Sequence, residues 1–139
     1  MSVSTAARDR IDLSPWTALL VAGDLAAILS FVAVGEYTHG YNPLVDVGRV
    51  TGTFAPFLVG WLLVAVAAGL YASGTTERLG PLVARTLSAW VVAVVVAQAL
   101  RATSLFHGGA AVTFAIVSVV IGGGALCLWR ASVALLWVR

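Results

Sequence analysis

The sequence has no lysine, a single cysteine (Cys127) and few charges of either sign. A lone cysteine cannot form an internal disulfide or a thiolate metal cage, so it leaves the redox compartment open. The eight basic residues are all arginine and stand against six acidic ones, for a net charge of +2. They are scattered along the chain, which excludes the clustered footprint of a nucleic-acid partner. Gly-rich phosphate loops, a GxSxG elbow and HExxH are also missing, and no base is placed to activate hydroxyls such as Ser4 or Thr5. The expectation is a protein that is not an enzyme and carries neither cofactor nor metal. Charged residues make up 10 % of the chain, against about 25 % in soluble domains. Hydrophobic residues make up 60 %, against roughly 45–50 %. A single domain of 139 residues could not hide that much apolar surface from water, because small folds leave much of their area exposed. The partner implied is the lipid bilayer.

A spanning helix needs about 20 predominantly apolar residues. Four runs qualify, at about 13–37, 53–72, 82–100 and 110–133. They are separated by turn chemistry: THGYNP and VGRVTG, then SGTTERLGP, then HGG. The runs are continuous rather than alternating, which argues against barrel strands. The fold expected is all-α, a four-helix membrane bundle in up-down-up-down order, since short connections make successive helices antiparallel neighbours. The first run exceeds the usual signal-peptide core and has Asp9 and Asp12 beside its arginines, so it is read as retained. Arginine placement favours both termini on the cytoplasmic side of a plasma membrane. That orientation puts Arg8, Arg10, Arg78, Arg85, Arg130 and Arg139 inside and Arg49 and Arg101 outside. Trp16, Tyr37, Tyr41, Tyr71, Trp129 and Trp137 fall near span ends, whereas Trp61 and Trp90 fall deeper and should fill helix contacts. Gly23, Gly60, Gly69 and Gly122–Gly124 are read as points of close helix approach. Pro56 is read as lying near the start of the second span, where its missing N–H costs little.

Two polar groupings stand out. Asp24 lies about eleven residues into the first run, roughly 16 Å deep, where an unpaired charge costs at least about 2.5–3.5 kcal/mol. It must face the interior, with Ile28 and Phe31, and either pair or stay protonated. Arg85 and Arg130 share its half of the membrane and have stems long enough to reach it. A neutral acid would bond Ser88 or a backbone carbonyl instead. A carrier reading makes Asp24 a proton- or cation-binding carboxylate. On the outer side Glu36, His39, Gln98, Arg101 and His107 form the densest polar cluster. It is read first as a network tying helix ends together. Glu36, His39 and His107 also permit a metal site, and the two histidines a haem ligand pair. The connection from Thr38 to Val50, with Gly40, Asn42, Pro43 and Gly48, is expected to be irregular and the least ordered part of the chain.

The stretches GDLAAILSFVAVGEYTHG, FAPFLVGW, ALRAT and LWR resemble a family of small prokaryotic four-helix membrane proteins, domain of unknown function 3054. The family pattern has an acid in the first helix, Gly-x-x-x-His after it, Gly-Trp in the second helix and arginine ending the third. Those fall here on Asp24, Gly35 with His39, Gly60–Trp61 and Arg101. The resemblance implies the topology and no activity.

Three functions compete. The first is a non-catalytic structural or accessory subunit of a membrane assembly, partnered by other membrane subunits or by itself. The second is a proton- or cation-coupled transporter using Asp24, similar to the small multidrug transporters in helix number, although those are shorter and use glutamate. The third is an electron-transfer subunit binding a cofactor through His39 and His107.

Overall fold

Ser14 starts the first helix in the computed structural model. Its hydroxyl accepts from the Thr17 amide at 3.3 Å, and Pro15 follows at the position where a missing N–H is harmless. Residues 11–72 and 78–137 are described, the last by its backbone alone. Arg8, Arg10, Arg139, part of the second break (73–77) and the Trp137 side chain lie outside the described residues. The helices are α1 (Pro15–Thr38), α2 (Val47–Ala67), α3 (Leu79–Arg101), α4 (Val112–Val117) and α5 (Gly123–Trp137). A π-helical segment, Ser118–Gly122, joins α4 to α5 into a single fourth rod.

The chain turns out of α1 and out of α2 by the same device. Gly40 has φ +91° and Gly69 φ +74°. Around them the Tyr41 amide donates to the Glu36 carbonyl at 3.0 Å, and the Leu70 amide to the Ala65 carbonyl at 2.9 Å. These are Schellman closures, which use a left-handed residue to satisfy the last helical carbonyls. Gly69 therefore serves as a cap, not as the packing residue expected from the sequence.

The second helix begins at Val47, within the connection expected to be irregular, and ends at Ala67. Its early glycines had the look of turn chemistry. Gly52 instead makes room for a neighbour, since a Cβ there would come 2.6 Å from the His107 ring. The earlier start also moves Pro56 into the helix interior, against the expectation that it sits near the beginning. The irregular connection shrinks to residues 39–46.

The helices close a ring in which α1 packs on α2, α2 on α3, α3 on α5 and α5 on α1. Aromatic rings fill its centre: Phe57 stacks on Trp90 at 5.7 Å and meets Phe31 and Phe114 edge-on, while Trp61 meets Trp90 at 6.1 Å. Trp61 and Trp90 are both fully buried, as expected. Small residues permit the approach. A Cβ on Gly60 would lie 2.6 Å from the Ala93 carbonyl oxygen, and one on Gly122 would lie 2.5 Å from the Trp90 ring.

The outside of the bundle is oily. Leu63, Val95, Val120 and Leu128 are each more than half exposed. The four rods of 24, 21, 23 and 25 residues have mean hydropathies of 2.2, 1.9, 1.8 and 2.2. At 1.5 Å per residue each matches a hydrocarbon core about 30 Å thick. Exposed leucine and valine on helices of this length make the chain a multi-pass membrane protein, an all-α bundle turned toward lipid.

Candidate functional site

Asp24 projects from α1 into the bundle and is 0 % exposed. Arg130, on α5 and 4 % exposed, meets it with both arms of its fork: Nε donates to Oδ1 at 2.9 Å and Nη2 to Oδ2 at 2.7 Å. The Tyr71 hydroxyl also donates to Oδ2. Trp61 Nε1 in turn donates to the Tyr71 oxygen at 2.9 Å. The guanidinium lies 5.3 Å from the Tyr71 ring and 5.7 Å from the Trp61 ring, so two aromatic rings flank the ion pair. Burial first, and the Asp24 carboxylate after it, raise the Tyr71 phenol well above its usual range, which keeps it a donor.

Local structure explains why these groups meet. The Schellman turn at Gly69 folds Tyr71 back under α2, and the Asp12 amide fastens it by donating to the Tyr71 carbonyl at 2.7 Å. The indole of Trp129 covers Gly23, the neighbour of Asp24, and donates to the Leu20 carbonyl at 3.3 Å. Ile28 and Phe31 share the inward face, as expected. Arg85 does not join the site. Its Nη2 donates to the Ala68 carbonyl at 2.8 Å, and it lines a shallow apolar groove between α2 and α3. Ser88 donates to the Ala84 carbonyl at 2.7 Å, not to Asp24. The stem of Arg85 is long enough, but its guanidinium reaches the C-cap carbonyl of α2 at the α2–α3 seam instead. Tyr71 is the member missed in the sequence. It sits beside a span end, the ordinary station of an interfacial aromatic, and only the glycine two residues earlier signals the reversal.

The second grouping lies at the other end of the bundle. Glu36 Oε2 accepts from Arg49 Nε at 2.8 Å, and Oε1 from the Thr53 hydroxyl at 2.6 Å. Thr53 also lies 3.2 Å from His107 Nε2. Arg49 stacks over Tyr41 at 3.8 Å. Thus α1, α2 and the third connection are tied together, with Arg49 and Thr53 as members the sequence reading left out. Arg49 falls in the segment read as a loop and Thr53 is the first residue of the second run, so no helical face was assigned to either.

Gln98 and Arg101, on α3, do not contact Glu36 directly. The Gln98 carbonyl oxygen accepts from the Ala111 amide at 3.2 Å. Arg101 Nε donates to the Gly109 carbonyl at 3.2 Å, and its guanidinium lies 4.5 Å over the Phe114 ring. Arg101 Nη1 and Gln98 Nε2 are buried and find no partner. Leaving such a donor unmet costs about 1–3 kcal/mol, more when it is charged.

His39 turns away from the carboxylate, and its Nδ1 lies 2.7 Å from the Gly35 carbonyl one turn earlier. The metal set of Glu36, His39 and His107 is therefore not assembled. Among the described residues no three such side chains come together in a metal-binding group. The physical reason is competition: the helix-end carbonyl takes one histidine and Thr53 the other. Around this end a cleft of about 420 Å³ opens, lined by Glu36, Thr53, Arg101 and His107 at its polar end and by Phe31 and Phe114 deeper in.

A family model described as a protein of unknown function, DUF3054, matches residues 21–133. No curated protein and no solved structure matches the chain.

Proposed function

The chain belongs to the DUF3054 family of proteins of unknown function, and on that premise we propose that it is a non-catalytic integral membrane protein, a structural or accessory subunit of a plasma-membrane assembly. One observation carries the reading: the Asp24 carboxylate, fully buried between the helices, is saturated from within. Both Asp24 oxygens are taken by the Arg130 fork, and one also by Tyr71. A carboxylate that loads and unloads a proton or cation needs a weakly held state and a route to water. Asp24 is 0 % exposed, and a bidentate arginine keeps both its oxygens occupied. Its chemistry supports a lock between α1 and α5 better than a carrier. The arginine bias supports both termini on the cytoplasmic side, which puts the Glu36 end outward.

Purification from native membranes in a mild detergent tests the proposal. A second membrane protein, or a second copy of this chain, should travel with it in fixed ratio. Recovery of the chain alone as a monomer would defeat the subunit reading. Proton-linked uptake in vesicles, lost on Asp24→Asn with the bundle intact, would replace it with a carrier. A haem-type absorption band that disappears on His39→Ala would replace it with an electron-transfer subunit.

A further inference from the structure

We propose that the cleft between α1 and α4 binds a membrane amphiphile with an oxyanion head, a carboxylate or phosphate on an apolar chain, and that Arg101 anchors the head.

The cleft has a chemically divided wall. Phe31, Val32, Phe114 and Val117 line one part, and Glu36, Arg49, Thr53, Arg101 and His107 the other. Its cause lies in the packing: α1 runs close along α5 and the π segment, whereas α4 stands off from it. The gap between α1 and α4 therefore faces the surrounding lipid. Its polar end is level with the last turn of α3, where lipid headgroups lie, and its apolar part extends toward the bilayer middle.

The charges at the polar end do not cancel. Glu36 is engaged by Arg49 and Thr53 through its two oxygens. Arg101 is 8 % exposed, pairs with no carboxylate among the described residues and leaves Nη1 without an acceptor. A guanidinium held by a backbone carbonyl on Nε and by an aromatic face still has the geometry to take an oxyanion. The turn beside it makes room for the guanidinium: Gly108 has φ +95°, and a Cβ there would collide with Arg101 Nη2. Thr53 and His107 supply further polar atoms at the same end. A small hydrophilic anion would satisfy Nη1 but leave the Phe31, Phe114 and Val117 wall unmatched. An acyl chain covers that wall, so the amphiphile accounts for both halves of the cleft.

The test uses purified full-length protein in a non-ionic detergent with spin-labelled stearate as probe, read by immobilisation in the electron paramagnetic resonance spectrum. Saturable immobilisation is expected, with displacement by unlabelled stearate or by phosphatidate. The stronger of these two competitors tells whether the natural source is a free fatty acid or a membrane phospholipid. Arg101→Gln should weaken binding by about tenfold or more, the loss of one charge-assisted hydrogen bond. Val117→Trp, at an exposed position on the apolar wall, should block binding while the thermal unfolding of the bundle stays at its wild-type midpoint. This second variant carries the test if Arg101→Gln does not fold. Absence of saturable binding, equal competition by methyl stearate or by inorganic phosphate, or wild-type binding in Val117→Trp would each overturn the proposal. None of these outcomes depends on whether a protein partner co-purifies.

Discussion

Replacing Asp24 by asparagine is the sharpest test of the buried lock. Asn keeps the size of the side chain and one acceptor, which can still take Arg130 Nε. Its amide turns a donor toward Arg130 Nη2 and the Tyr71 hydroxyl, the two groups that Oδ2 accepts from in the native chain. The pair is 0 % and 4 % exposed, so solvent screens it little. Removing one partner of such a pair leaves a buried charge uncompensated and costs about 3–5 kcal/mol. That corresponds to roughly two to four orders of magnitude in the folded-to-unfolded ratio. Arg130→Gln should cost a similar amount for the converse reason. In Asp24→Asn/Arg130→Gln no charge remains and the two amides can bond each other, so the double variant should recover most of the loss. The assay is unfolding of the bundle in mixed micelles by titrated sodium dodecyl sulfate, followed by circular dichroism. Two single variants within about 1 kcal/mol of the wild type, below the range for a broken buried pair, would refute the reasoning. So would a double variant as unstable as the two singles combined, because coupled sites must show a shortfall.

Tyr71→Phe should cost about 1–3 kcal/mol in the same titration, because Trp61 Nε1 loses its acceptor; an unchanged midpoint would mean that water replaces the phenol. Gly60→Leu should push α2 off the Ala93 carbonyl and destabilise by about 1–3 kcal/mol or more, with Val59→Leu, on the lipid side, as the neutral control. In a Cys127→Ala background, Asn42→Cys should label from outside intact cells and Arg78→Cys only after permeabilisation; the reverse pattern would invert the orientation. Glu36→Gln should speed amide exchange in Val47–Val50, since it removes the anion that holds Arg49 over the first turn of α2; unchanged exchange would assign that turn's order to the backbone alone.

The helices were legible because lipid imposes a simple rule: length and unbroken hydropathy mark a span, and no tertiary detail is needed to see it. The Asp24–Arg130 meeting was half legible for a related reason. A charge that deep must find a partner, and Arg130 was one of two arginines within reach. Choosing between Arg85 and Arg130 required knowing which helix faces meet, and oily helices with little amphipathic contrast do not announce a face. The start of α2 was misread because glycine has two meanings, a breaker in water and a contact surface between membrane helices. Reading Gly48 and Gly52 in the first sense hides Arg49 and leaves Thr53 at the very start of its run, with no turn before it to set its face. Arg101 and His107 were found by charge alone, but the cleft they line depends on the splay of α4 from α1, which no local pattern encodes.

The π segment at Ser118–Gly122 sets the angular phase of the whole fourth rod. Phe114, Ser118, Gly122, Leu126 and Arg130 repeat every four residues; the last four are buried and Phe114 is partly buried against the core. In a regular α-helix each step of four overshoots a full turn by about 40°, so over four steps Arg130 would rotate some 160° away from the direction of Phe114. The wider turn absorbs much of that drift, behaving as one residue inserted into an α-helix. It also frees the Ser118 carbonyl, which accepts from Trp90 Nε1 at 2.8 Å. Deleting Val120, a lipid-facing residue, should therefore leave a straight α-helix with Arg130 still aimed at Asp24 and only the Trp90 hydrogen bond lost. Adding an alanine at the same point would swing Arg130 by about 100° and break the lock.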